Sequence, residues 1–277
     1  MSLRDLPASS ELPPTTGYPA GQEVAWLFND NLENYRRRGG HPIYGENDII
    51  YRFNSLGYRC PEFDVEADIR IVTVGCSFVL GHALPQPALF HELFAERLRR
   101  ESAKKVVVWN LGMCGASNDY ISRLLYLAMP RLDPQIVLIN FTHGARREYL
   151  SVQGRLINYN PTYQPADEVT REIFNHIAAL SSPFDDQLNF FKNYKAMELL
   201  LAGRPWFFSH ITPQEFEPVA AHMDLSRYAG PLLAVDRARD GVHPGPESHR
   251  RLAEHYWKKF TELGGLSQLE QTVLEKR

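Results

Sequence analysis

Two short stretches hold the residues whose types can do chemistry together. One is Gly75-Cys76-Ser77-Phe78 and the other is Asp240-Gly241-Val242-His243-Pro244. A hydroxyl, an imidazole and a carboxylate are the three groups of nucleophilic acyl chemistry: the serine attacks, the histidine takes its proton, and the carboxylate orients and steadies the ring. Asp240 and His243 are close enough in sequence for a single turn to present both side chains to Ser77. Alone, D-G-V-H-P reads as a turn running into a helix, because Asp-Gly is a turn dipeptide and proline suits a first helical turn. It gains weight from where Ser77 stands. The run Ile69 to Val74, IRIVTV, is short, apolar and β-branched and breaks into glycine, the pattern of a buried parallel strand opening into a loop. Ser77 is thereby placed at the carboxyl edge of a sheet, where open α/β folds bind ligands.

A third stretch lies between them: Asn110-Leu111-Gly112-Met113-Cys114-Gly115-Ala116-Ser117. Gly115 stands at a strand-to-helix junction. It serves there as a plain turn, or as an electropositive amide able to hold a developing oxyanion. Asn118 is either a further donor or, with Ser117, a helix N-cap.

In this order and spacing, the three stretches resemble the SGNH (GDSL-type) hydrolases, from about residue 69 to about residue 262. That family carries its nucleophile in G-D-S after the first strand, a glycine in N-x-x-x-x-G, and its acid and base in D-x-x-H-P before the last helix. The resemblance implies an α/β fold, a three-layer α/β/α sandwich around a mostly parallel, flavodoxin-like five-stranded sheet. It implies Ser77, His243 and Asp240 as catalytic residues, the amides of Ser77 and Gly115 in an oxyanion hole, and no cofactor or metal. Two departures stand out. Cys76 replaces the usual aspartate, which is not a catalytic group. The family's G-x-N-D block is missing, since Ile136 to Phe141 is followed by Thr142-His143-Gly144-Ala145-Arg146-Arg147-Glu148. His143 or Arg146 is the candidate replacement for the absent asparagine, and losing one such donor costs about 10²–10³ in turnover. Arg146 and Arg147 suit either a surface ion pair with Glu148 or a nearby aspartate, or a clamp on a substrate carboxylate or phosphate.

The elements that must position these groups follow from periodicity. Strands are expected at 69–74, 105–111, 135–141 and 204–210, with a weaker one at 232–236. Helices are expected at 88–100, 116–129, 166–180, 184–202 and from Pro244 to about Phe260, the last ending at Gly264-Gly265. Residues 23–38 read as a helix that covers a sheet edge or joins a dimer, and Asp48 to Tyr58, in the stretch that holds FNSLGYR, as an extended arm with a turn. The segment LSVQGRLINYNPTYQP, residues 150–165, reads as an insertion forming a lid or an acyl pocket. Arg237-Ala238-Arg239 reads as a solvated turn, and His82 and His91 as bystanders. Residues 1–65 form an N-terminal arm with covering elements, 66–264 the hydrolase-like domain, and 265–277 a charged tail.

Composition narrows the function. With 277 residues and 44% hydrophobic content the chain is long enough for one large α/β domain. A net charge of -3 and a pI near 6.4 show no basic excess, which excludes nucleic acid as an expected partner. Three cysteines without a C-x-x-C indicate neither a zinc site nor a disulfide framework. The N-terminus lacks the apolar core of a signal peptide and no apolar run is long enough to span a membrane, so the expectation is a cytoplasmic protein. The expected chemistry is ester or thioester hydrolysis of a small or medium acyl group on a small-molecule or carrier-bound substrate. The same triad also serves a biosynthetic acyltransferase, and a non-catalytic binding protein is a third reading. A homo-oligomer is compatible with this composition.

Overall fold

In the computed structural model, residues 12, 15, 17–150 and 156–269 are described. Two short antiparallel strands, β1 (Glu23–Val24) and β2 (Tyr51–Arg52), bracket the short helix α1 (Leu32–Arg37). β3 (Ile69–Val74) runs into the single-turn helix α2 (Ser77–Leu80), followed by α3 (Phe90–Ser102), β4 (Val106–Asn110), α4 (Asn118–Leu132) and β5 (Ile136–Phe141). A hairpin of β6 (Arg147–Leu150) and β7 (Leu156–Tyr159) precedes α5 (Glu168–Leu180) and α6 (Pro183–Leu200). Then come β8 (Trp206–His210), α7 (Pro213–Phe216), β9 (Tyr228–Pro231) and α8 (Pro246–Glu262).

The β-branched runs form a five-stranded sheet in the order β4-β3-β5-β8-β9, and every pairing in it is parallel. Side chains alternate across it, as strand geometry requires. Val72, Val74, Trp109 and Ile139 face one core with α4 and α6, while Ile69, Ile71, Val108 and Leu138 face the other with α3 and α8. This is a three-layer α/β/α sandwich. The chain leaves β3 for β4 on one side and returns to β5 on the other, so the strand order reverses beside β3. A crevice opens at such a switch point on the carboxyl edge, and Ser77 begins α2 there.

Several expectations change. Only Leu32–Arg37 of the predicted helix 23–38 is helical, and it buries no residue. An antiparallel bridge between Leu27 and Asp30, with Phe28 at φ +52°, closes a tight turn upstream, and Asn31 caps α1 by accepting from Asn34 N. The fifth strand lies at Tyr228–Pro231, not 232–236. Leu232 still donates to His210 O, but Leu233 and Val235 beyond it are exposed and leave the sheet. The 150–165 insertion holds the β7 arm of a hairpin, while residues 151–155 lie outside the described set. Gly264 ends α8, yet residues 265–269 turn again and bury Leu269 against the α3–α8 core. The remaining tail, 270–277, and most of the first 16 residues are likewise outside the described set. No helix among the described residues is long and apolar enough to cross a membrane.

Four histidines are held neutral by burial. His82 and His210 are pushed down to about 4, His249 to about 3, and His91 well below its ordinary value. In the unfolded chain each takes a proton near pH 6.5, so their contribution to stability is complete above that pH and is lost as pH falls toward the folded values. Each such histidine adds up to about 1.4 kcal/mol per pH unit to that loss. Both ring nitrogens of His91 are buried without a hydrogen-bond partner among the described residues, so His91→Leu is expected to keep or raise the urea midpoint at pH 7 and to flatten its fall between pH 6.5 and 4.5 by about one proton. Urea titrations across that range check this; a variant whose midpoint falls as steeply as wild type contradicts it.

Candidate active site

The turn that carries Ser77 is built by close approach. A Cβ on Gly75 would lie 2.8 Å from the carbonyl oxygen of Asn140 and 2.4 Å from Val79 Cγ2, so only glycine lets β3 pass this close to β5 before α2 begins. Met113 N donates to Gly75 O at 3.1 Å, which ties the β4–α4 turn, and with it Cys114 and Gly115, to the turn carrying Ser77. Gly115 itself has φ +74°, a conformation that favours glycine. Among the described residues neither Ser77 N nor Gly115 N donates a hydrogen bond.

The three residues singled out for acyl chemistry meet. His243 Nε2 is 2.9 Å from Ser77 Oγ, and His243 Nδ1 is 2.5 Å from Asp240 Oδ2. Asp240 is almost fully buried. Its Oδ1 accepts from the amides of Val242 and His243, each at 3.0 Å. Burial opposes its ionisation, but the His243 contact and these amides outweigh burial and hold the carboxyl well below the usual carboxylate range. His243 Nδ1 therefore carries its proton toward Asp240, and the Nε2 lone pair faces the serine hydroxyl.

Sequence reasoning missed a second layer. Asn29 Nδ2 donates to Asp240 Oδ2 at 3.2 Å, and its Oδ1 contacts His82 Nε2 at 2.6 Å. Since Asn29 presents its amide NH₂ to the carboxylate, its oxygen must accept from His82 Nε2–H, and His82 Nδ1 is left to accept from the Cys114 thiol at 3.9 Å. Burial keeps His82 neutral, with the adjacent His243 as the next cause, and burial pushes the Cys114 thiol up to about 12. His82 is thus no bystander. It is 1% exposed, and its ring centroid lies 4.7 Å from that of His243. Among the described residues His82, Asp240 and His243 are the group whose donor atoms cluster tightly enough for a metal. The short Asp240–His243 contact is a hydrogen bond, closer than two ligands about 2.0–2.1 Å from one tetrahedral ion would lie.

The loop holding Asp240 is anchored from the N-terminal segment. Arg239, expected in a solvated turn, is fully buried because Asp30 meets it in a bidentate pair, Nε to Oδ1 at 3.0 Å and Nη2 to Oδ2 at 2.7 Å. Tyr51 Oη donates to Asp30 Oδ2 at 2.6 Å, and the Arg239 guanidinium stacks 3.9 Å over Trp26. On the other side of the crevice, buried Arg59 of the FNSLGYR stretch donates to the carbonyls of Leu80, Gly81 and Leu84, gripping the chain where α2 ends. A turn sequence and an arginine gave no periodic signal that would reveal such a clamp.

The remaining candidates separate. Arg147 is mostly buried and ion-paired with Asp185 and Asp186, and the buried Asn118 amide is used at both ends by the Thr142 peptide, at 3.0 and 2.8 Å. Both side chains, expected to bind substrate, are here engaged within the protein. His143 turns toward Glu215, with Nδ1 3.7 Å from a carboxylate oxygen. Arg146 meets no carboxylate among the described residues: Nη1 donates to Thr142 Oγ1 at 2.8 Å and to Ala116 O at 3.4 Å, beside Gly115. A cleft of about 590 Å³ lined by Asp68, Arg70, Lys105 and Asp133 opens at the amino ends of the strands, the edge opposite Ser77.

No family model and no curated protein matches the chain. Among solved structures it is similar to TesA, with 18% identity over 70% of this chain and 99% of that one and a TM-score of 0.45. It is similar to the psychrotrophic esterase EstA from Pseudoalteromonas sp., with 10% identity, coverage of 71% and 98%, and a TM-score of 0.44. A lipolytic protein of the G-D-S-L family from Veillonella parvula gives 13% identity, coverage of 70% and 98%, and a TM-score of 0.41.

The Asp30–Arg239 pair yields a stability prediction. Asp30→Asn or Arg239→Met alone leaves a buried charge uncompensated and is expected to lower the unfolding free energy by about 3–5 kcal/mol. The double variant Asp30→Leu/Arg239→Met is expected to recover much of that. Urea denaturation of the three proteins decides it, and single variants within about 1 kcal/mol of wild type would refute the anchoring role.

Proposed function

We propose that the protein is a serine hydrolase of the SGNH type, acting on an ester or thioester through an acyl-enzyme. The observation that carries this reading is the continuous contact Ser77 Oγ–His243 Nε2–His243 Nδ1–Asp240 Oδ2, set in the crevice where the strand order reverses. His243 accepts the Ser77 proton as Oγ bonds to the substrate carbonyl carbon, and Asp240 stabilises the imidazolium. Neutral His82 matters here because it puts no second positive charge beside the ring that is becoming cationic. Free amides at Ser77 and Gly115 take the oxyanion, the leaving group departs with the proton from His243, and water repeats the sequence to release the acyl group. Arg146, beside Gly115, is the residue we assign to an anionic substituent of the substrate. The odd, unpaired cysteines support a reducing, cytoplasmic setting as part of this reading.

Exposure to a fluorophosphonate followed by intact-mass measurement tests it. Wild type is expected to gain one adduct, Ser77→Ala none, and His243→Ala one that forms at least about 100-fold more slowly. A folded wild type that stays unmodified rejects the proposal. Asn29→Ala removes one hydrogen bond to the charged Asp240 and is expected to slow adduct formation about 10-fold without abolishing it. Labelling as fast as wild type would show that Asp240 does not depend on Asn29.

A further inference from the structure

The β5–β6 loop cannot furnish a side-chain donor at its glycine. A Cβ on Gly144 would lie 2.2 Å from the Asp186 carbonyl oxygen, so every side chain is excluded there. Neighbouring His143 is turned to Glu215, and the Asn118 amide is consumed by Thr142. A different amide stands beside Gly115. Nδ2 of Asn160, on the loop after β7, lies 4.0 Å from the place a Gly115 Cβ would take, and among the described residues, Gly115 and its two chain neighbours aside, no other atom comes that close. Its orientation is set by its own oxygen, which accepts from Thr162 N at 3.1 Å and Thr162 Oγ1 at 2.9 Å. The NH₂ end is left without an acceptor among the described residues, and the N–H of Gly115, the residue it approaches, is likewise free there. Asn160 also lines a cleft of about 190 Å³, together with Tyr159, Tyr163, Arg171 and Phe174.

We infer that Asn160 is a catalytic residue, the side-chain donor of the oxyanion hole, supplied from the β7 loop in place of the amide that the β5–β6 loop lacks. The inference rests on the serine hydrolase reading of Ser77, His243 and Asp240. When the Ser77 Oγ–carbon bond forms, the carbonyl π pair moves onto oxygen, and the N–H groups of Ser77, Gly115 and Asn160 share that charge while the proton rests on His243 Nε2. Collapse restores the carbonyl and expels the leaving group with that proton.

The test is the rate constant of fluorophosphonate labelling for wild type, Asn160→Ala, Asn160→Asp and His143→Ala, each with its thermal midpoint. Asn160→Asp keeps the oxygen that accepts from Thr162 and loses the donor; Asn160→Ala loses the donor without adding charge. Both are expected to label about 100-fold more slowly than wild type at an unchanged midpoint, with His143→Ala within about twofold. Asn160→Ala labelling at the wild-type rate overturns the inference even if Asn160→Asp is slow, because charge repulsion then accounts for the latter. A slow His143→Ala beside a fast Asn160→Ala assigns the donor to His143 and also overturns it. An unreactive wild type removes the hydrolase reading and this inference together, which separates the two failures.

Discussion

An arginine sealed from water has to meet an opposite charge and direct its remaining donors to oxygens. Arg239 does so with Asp30 and with the carbonyls of Ala25, Gly45 and Glu46, all in the N-terminal segment. Its chain neighbour is Asp240, so the position of the carboxylate that orients His243 is tied to the packing of residues 23–51. A sheet edge alone would leave that loop as free as any surface connection. Here the loop is stitched through the Arg239 side chain, through Asn29 on Asp240 itself, and through Arg38 and His41 on the Arg239 and Arg237 carbonyls.

The Ser77 side of the crevice is held by the same segment. Arg59 binds three carbonyls at the end of α2 and just beyond it, while Tyr51 bridges the two clamps by donating to Asp30 and accepting from Ala83 N. The two halves of the candidate triad, separated by 166 residues, are thus referenced to one short stretch of chain. The neutral series Cys114, His82, Asn29 extends this to the β4–α4 turn with no net charge introduced near His243. A polar network whose members hydrogen-bond one another adds rigidity at little electrostatic cost.

What could be read from the sequence was what periodicity and local turn chemistry encode. The four buried strands and the helices α3, α4, α6 and α8 follow from apolar runs and stripes. Ser77, Asp240 and His243 follow from a strand end and a turn whose residue types have one evident joint use. Residues 23–38 misled because Val24, Leu27 and Phe28 mimic a helical stripe, whereas the turn at Phe28 serves to aim Asn29 and Asp30. Asn29, Asp30, Arg59 and Arg239 are single polar residues in irregular segments, and their partners lie far along the chain. Composition makes such residues look like solvated surface, and only tertiary placement distinguishes a buried guanidinium from an exposed one.

The Asp30–Arg239 pair also has a consequence in time. The two residues are 209 positions apart, and at synthesis rates of about 5–20 residues per second Asp30 leaves the ribosome roughly 10–40 seconds before its counterion exists. Throughout that interval the Asp30 carboxylate lacks the Arg239 guanidinium, while β3 through β8 can already pair in order. The Asp30–Arg239 clamp is therefore among the last contacts to form, and the loop that holds Asp240 is fixed only after strands β3 through β8 have been made.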